Sequence, residues 1–257
     1  VAWCWKGGGT AVSNTDGDIT SSVSVNEEAG FSIATYTGST ASGALTVGHG
    51  LGKKPAWVMV KRRDSTGEWI VGHQALATDA FANNKFLKLD SSSSTFTNSL
   101  VWGAEPTTTV TQIVSDGNAG ASNLTSSGTY VMYSWAEIPG YSRFGTYTGN
   151  GSSSGPYVYL GFRPNWVLVK GNSFAGNWNL FDIRRPGYNT TNDRLFPNLA
   201  DAETDGSSSN NQIDIVSNGF ILSGSNVDTN ASGSTYIYMA FAEQPGTTTF
   251  DTFPNAR

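Results

Sequence analysis

The chain has 257 residues and a net charge of -5, with charged side chains at only 14% of positions and abundant Gly, Ser, Thr and Asn. Its 15 Lys and Arg are too scattered to form a phosphate-binding face, which argues against nucleic acid as a partner. No apolar run reaches the length of a membrane-spanning helix, and the single cysteine, Cys4, leaves no disulfide framework or cysteine-based zinc site.

The first segment, "VAWCWK" from Val1, aligns with "VMYSWA" from Val131, so it is expected to be the last strand of a preceding unit. A linker-like stretch follows, in which Ile19, Val23 and Val25 could add a strand. Strand signals then dominate: short β-branched and aromatic runs bounded by Gly, Ser, Asn and Asp. In the first half these are "FSIATYTG", "AWVMVKR", "EWIVGHQ", "TQIVSDG" and "TYVMYSWAE"; "HQALATDAFANNKFL" is the best candidate for a helix. The second half answers in the same order with "FGTYTGN", "NWVLVKG", "NWNLFDI", "IDIVSNGFIL" and "TYIYMAFAE".

The match is closest between "LGKKPAWVMVKRRDSTGEW" at Leu51 and "LGFRPNWVLVKGNSFAGNW" at Leu160, which align without a gap. In "WVMV" and "WVLV" both alternating faces are apolar, as in a strand buried on both sides. The charge that ends each run, Lys61 or Lys170, is expected to discourage edge-to-edge pairing. Each copy closes on Ala-Glu-X-Pro-Gly, a turn sequence.

These signals predict an all-β protein of two tandem antiparallel β-sandwich repeats of about 110 residues, jelly-roll or lectin-like in kind. The expected divisions are a strand remnant and linker over 1–29, repeat 1 over 30–139, repeat 2 over 140–246 and a tail over 247–257. One larger sandwich assembled from both halves is the alternative.

The run from "WCWK" through "SNTDGDITSSVSVN", "GFSIATYTG", "VGHGLGKKPAWVMVK" and "YSWAEIPG" to "YMAFAEQPG" resembles repeat domains of tailed-bacteriophage structural proteins, common in marine phages and cyanophages. It covers nearly the whole chain in order. The resemblance implies a virion protein, often a tail fibre or other host-facing part, whose modules follow a concanavalin-like (laminin-G-like) domain. Other virion subunits would be its partners. A homotrimer is expected by analogy with phage fibres, and a host-surface glycan is the expected ligand. The protein would assemble in the host cytoplasm and be displayed outside the particle. No catalytic residue is carried over.

The residues themselves point the same way. Two His, one Cys and no G-x-S-x-G supply neither a triad nor a set of zinc ligands, so no metal, no cofactor and no enzymatic activity are expected. His49 and His73 stand where the second copy has Val158 and Asp182. Glu137 and Glu243 occupy one repeated position, unlike the facing carboxylates that glycoside hydrolysis needs. A polysaccharide depolymerase is therefore the third reading, after an adsorption module and a purely architectural capsid-decoration or fibre-shaft module. The acidic loops "NTDGD" near Asp16 and "DAETDG" near Asp201 lack EF-hand spacing.

Tryptophans repeated in both copies (Trp57 with Trp166, Trp69 with Trp178, and Trp5 and Trp135 with Phe241) are expected to fill cores. Candidate contacts lie where the copies differ. Trp102, Phe174 and Tyr188 are unrepeated aromatics at loop-like positions, suited to stacking on a sugar or anchoring a protein. Arg62 and Arg63 in the "RRDST" loop, His73, and the pair Arg184 and Arg185 complete the set, the last two able to hold a carboxylate. A local salt bridge from that pair to Asp182 or Asp193 is the ordinary alternative.

Overall fold

A computed structural model gives the fold and describes residues 4–39, 43–115, 128–185, 193–204 and 212–243. The all-β expectation holds. Among the described residues the one helix is a single turn, α1 (Val227–Asn230), whose cap residue Asn226 accepts a hydrogen bond from the Asp228 amide. The contacts form two compact units. Unit 1 comprises Val1–Lys88 and Phe96–Glu137, and unit 2 comprises Leu89–Thr95 and Ile138–Arg257.

Unit 1 holds β1 (Val12–Asn14), β2 (Ser21–Asn26), β3 (Phe31–Thr37), β4 (Gly43–Gly48), β5 (Trp57–Arg62), β6 (Ile70–His73), β7 (Lys85–Lys88), β8 (Phe96–Thr97), β9 (Val110–Ser115) and β10 (Thr129–Trp135). Its large sheet runs β1-β2-β3-β10-β5-β6-β7-β8, and β4-β9 forms a second sheet. Alternation sends Val58, Val60, Ala34 and Met132 into a core that also takes Val47 of β4 and Ile113 of β9. Unit 2 holds β11 (Ser142–Thr148), β12 (Tyr157–Tyr159), β13 (Trp166–Gly171), β14 (Trp178–Asp182), β15 (Gln212–Val216), β16 (Gly219–Ser223) and β17 (Thr235–Phe241). Its sheets run β11-β17-β13-β14 and β12-β16-β15.

The order β3-β10-β5-β6 in unit 1 matches β11-β17-β13-β14 in unit 2, and the register matches too. Trp135 pairs with Phe31 and Trp57, and Trp57 with His73. Phe241 pairs with Ser142 and Trp166, and Trp166 with Asp182. The Leu-Gly that opens the doubled phrase has a backbone reason: Gly52 (φ 64°) and Gly161 (φ 83°) both adopt the left-handed region.

Three expectations are corrected. The helical candidate from His73 to Leu87 is instead the end of β6, turns over 74–84 and the start of β7, because Asp79 and Asn84 take positive φ (50° and 54°) and interrupt any helical run. The described part of "WCWK" is not a strand; instead the Trp5 ring packs on Trp135 and Phe31 at 5.7 and 6.5 Å. Lys61 and Lys170 do not protect edges, since β5 and β13 are both interior strands.

Candidate functional site

Trp102, expected at a loop surface, is fully buried and meets Phe81 edge-to-face at 5.2 Å. The cause is Gly72 on the inner face of β6. A Cβ there would lie 2.2 Å from Phe81 and 3.0 Å from Trp102, so the missing side chain makes room for both rings. In the doubled alignment Gly72 matches Phe181, itself buried, so one ring of unit 2 stands where unit 1 uses two from elsewhere. Trp102 is core, not contact.

Phe174 also folds back. It lies across Gly171, where a Cβ would come within 2.3 Å of the ring, and meets Tyr236 edge-to-face at 5.5 Å. His73 is buried against Trp57 at 5.4 Å, and its Nδ1 accepts from the Ala75 amide at 2.9 Å. Asp182, in the matching position, does the same job: its Oδ1 accepts from the Arg184 amide at 2.9 Å. Both side chains thus hold the turn that ends the strand, which removes His73 from the accessible candidates.

Arg62 is held by Asp64 at 2.8 Å. Arg184 and Arg185 do pair with carboxylates, but with Glu243 and Glu203 rather than Asp182 or Asp193, whose positions the linear sequence had suggested. Tyr188 lies outside the described residues. Of the two tryptophans in each copy of the doubled phrase one is buried, Trp57 in unit 1 and Trp178 in unit 2, while Trp69 and Trp166 are half-buried; Trp135 and its counterpart Phe241 are both buried and Trp5 is half-buried.

His49 is buried and committed at both nitrogens, Nδ1 accepting from the Leu51 amide (3.1 Å) and Nε2 reaching the Thr107 carbonyl (3.3 Å). Burial lowers its pKa to about 4, offset in part by the Thr107 hydrogen bond and Asp16. A histidine so held is neutral at pH 7 and has no free lone pair for a proton or a metal. Asp18 accepts from the amide and hydroxyl of Thr46 (3.0 and 2.8 Å), and no group of three His, Cys, Asp or Glu converges among the described residues.

Arg63 is the candidate that remains. It is exposed and lines an open cleft of about 320 Å³ in unit 1 with Ser13, Ser22, Thr35, Thr37 and Thr129. Cross-strand register builds the wall: Ser13 faces Ser22, Ser22 faces Thr35, and Thr37 faces Thr129. The Arg63 amide donates to the Thr129 carbonyl at 2.8 Å, fixing the guanidinium's stem at the end of this row. Hydroxyls that donate and accept, beside one guanidinium, suit a polyhydroxylated or anionic ligand. The signal was present in "ITSSVSVN" and "FSIATYTG", where Ser22, Thr35 and Thr37 alternate with Val23, Ala34 and Tyr36.

Opposite in character is Lys170, fully buried in unit 2. Its ammonium donates to the Gly171 carbonyl (2.6 Å) and reaches that of Ser92 (3.4 Å). Desolvation lowers its pKa to about 8, with Asp228 opposing. Ser92 also accepts from the Gly176 amide (2.8 Å), and Thr95 donates its amide and hydroxyl to Asn172 (3.1 and 2.9 Å). Leu89–Thr95 is thereby laid along the loop that follows β13.

These features define a two-unit β-protein, its named strands paired antiparallel, with a hydroxyl-lined surface cleft. The chain belongs to the family described as Domain of unknown function (DUF7483), whose model matches residues 1–245. No curated protein and no solved structure matches it.

Proposed function

We propose that this chain is a non-enzymatic structural module of a tailed-phage virion, displayed on the particle, whose unit 1 cleft takes part in adsorption to a host-surface glycan. The observation that carries the binding half is the cleft: a row of Ser and Thr hydroxyls ending at the exposed Arg63. The virion setting rests on the sequence resemblance to phage structural repeats. The two histidines support a non-catalytic reading, since each accepts a backbone amide proton on Nδ1.

The test is a glycan array with the full chain, comparing wild type with Arg63→Ala and including acidic and neutral polysaccharides. Binding of an acidic glycan that Arg63→Ala weakens at least about tenfold supports the reading. An array without signal above background, or binding unaffected by Arg63→Ala, sinks the cleft's role.

A second reading, purely architectural, is favoured by a separate observation. The docked Leu89–Thr95 segment shows that one loop of this repeat is shaped to receive an extended chain.

A further inference from the structure

The two units carry the same hairpin arm. In unit 1 Leu87 pairs with Val71 of β6, and the Phe86–Phe96 pair closes a nine-residue excursion. In unit 2 Leu195 bridges to Leu180 of β14, and the Arg194–Thr204 bridge closes an excursion of the same nine residues. Val71 and Leu180 are themselves equivalent, since they pair with Met59 and Leu168 of the doubled phrase. Leu89–Thr95 therefore corresponds to Pro197–Glu203.

The first of these arms is docked. Its Ser92 carbonyl accepts from the Gly176 amide and the Lys170 ammonium, and its Thr95 amide donates to the Asn172 carbonyl. The second arm is held at its two ends, where Asn198 accepts from the Trp178 amide (3.0 Å) and donates to Asn177 (2.9 Å) and Glu203 pairs with Arg185, but among the described residues its tip makes no backbone hydrogen bond of the kind Ser92 and Thr95 make. Leu199–Glu203 is exposed throughout, with the apolar Leu199 side chain 40% accessible.

The slots show the converse. By the gapless alignment, Lys170, Asn172, Gly176 and Trp178 correspond to Lys61, Arg63, Gly67 and Trp69. Lys170 and Trp178 are buried, whereas Lys61 and Trp69 are half-exposed and Arg63–Gly67 is exposed at every residue. Among the described residues no backbone hydrogen bond engages the Gly67 amide or the Arg63 carbonyl. Lys61 turns back to the Gly67 carbonyl and sits 5.8 Å from the Trp69 ring centroid. The slot over Lys61–Trp69 carries Lys61, Arg62 and Arg63 with Asp64 and Glu68, and Arg62 is held by Asp64; on the arm, Glu203 is paired with Arg185.

We infer that the chain self-associates head to tail, the free arm of one copy entering the open slot of the next. The Ala200 carbonyl of one copy accepts from the Gly67 amide and Lys61 ammonium of the other, and the Glu203 amide donates to the Arg63 carbonyl. These are the roles that Ser92 and Thr95 already play. Such a contact is heterologous: each copy keeps one free arm and one free slot, so addition continues into an open chain or a ring. The inference does not depend on the cleft binding a glycan, and either can fail alone.

Sedimentation velocity of the full chain across a concentration series tests it. Wild type is expected to form species beyond the dimer. Asp201→Lys (defective arm, intact slot) and Gly67→Pro (intact arm, slot amide removed) should each weaken association about tenfold or more. Mixing these two variants should restore a 1:1 dimer that grows no further, because one competent arm meets one competent slot. Lys61→Glu serves as the slot variant if the Gly67→Pro melting curve shows a folding defect. A wild type that stays monomeric, variants that associate like wild type, or a mixture that stays monomeric would each overturn the proposal. Asp201→Lys lies outside the cleft, so any glycan binding per chain should survive in it.

Discussion

Lys61 and Lys170 close the same apolar run on the same interior strand of the same four-strand order, yet one is half-exposed and the other has no contact with solvent. Nothing in "WVMVK" and "WVLVK" distinguishes them. The difference is that Leu89–Thr95, distant in sequence, lies along the loop beside Lys170 and places the Ser92 carbonyl near its ammonium. Strand, register and turn are thus local properties of this repeat, whereas the burial of its outer face depends on what is laid over it. Identical residues then carry different energetic weight.

The sharpest way to break this contrast is to truncate the matched tryptophans that end the doubled phrase. Trp178 is fully buried and Trp69 is half-buried. Trp178→Ala should cost about 3–5 kcal/mol, as a large core truncation does. Trp69→Ala should cost about 1–2 kcal/mol, in proportion to the smaller area it removes from water. Denaturant melts of the two variants measure both, and equal costs would show that the covering of unit 2 adds nothing.

The next contrast is in pH. His49 of unit 1 is replaced in unit 2 by Val158. Its folded pKa of about 4 lies below the ordinary 6.5, so between those values the unfolded chain binds more protons than the folded one. Stability should fall as pH drops through that window, by on the order of 3 kcal/mol. His49→Gln should flatten that limb in urea melts from pH 7 to pH 4.

Lys170 gives the opposite limb. With its folded pKa lowered to about 8 from 10.5, the unfolded chain again holds the extra proton, here between pH 8 and 10.5. Stability contributed by this group therefore rises as pH increases from 8. Near pH 10 the buried phenols of Tyr36 and Tyr147, raised by desolvation, reverse the trend, because their unfolded counterparts ionise first. Lys170→Met should abolish the rise between pH 8 and 10 and leave the fall above it. A rise that persists in Lys170→Met would assign it to another group.

How much of this was legible in the sequence follows the same division. The strand cores, the Pro139-Gly140 turn and the repeated cross-strand aromatics were readable, because apolar periodicity and turn chemistry act within a few residues. Trp102 departs from the loop-surface expectation because its burial depends on Gly72, thirty positions away, lacking a Cβ; the informative mark is the exchange of Gly72 for Phe181 between copies. Phe174 departs from it for the same reason at Gly171. The cleft was half-legible: its hydroxyls alternate along β2 and β3, but only the register of β1, β2, β3 and β10 aligns them. Arg63 is the candidate that lines the cleft, which a position in the "RRDST" loop could suggest but not separate from its neighbour Arg62, held by Asp64.

The smallest expected effect separates shared chemistry from shared sequence. His73 and Asp182 look unrelated, and in the sequence their divergence marks His73 as a candidate contact. In the fold both sit opposite the first tryptophan of the doubled phrase, and both accept the amide proton two residues on at 2.9 Å. What the position requires is then an acceptor at the strand's end, which an imidazole nitrogen or a carboxylate oxygen can supply. Asp182→Ala removes it and should cost about 1 kcal/mol, the usual size of such a hydrogen bond. Asp182→Asn keeps a side-chain oxygen and should recover most of that loss, despite giving up the charge. Thermal melts of the two variants decide between the alternatives. If Asn is as costly as Ala, the carboxylate's charge matters at this position, and His73 and Asp182 do different work after all.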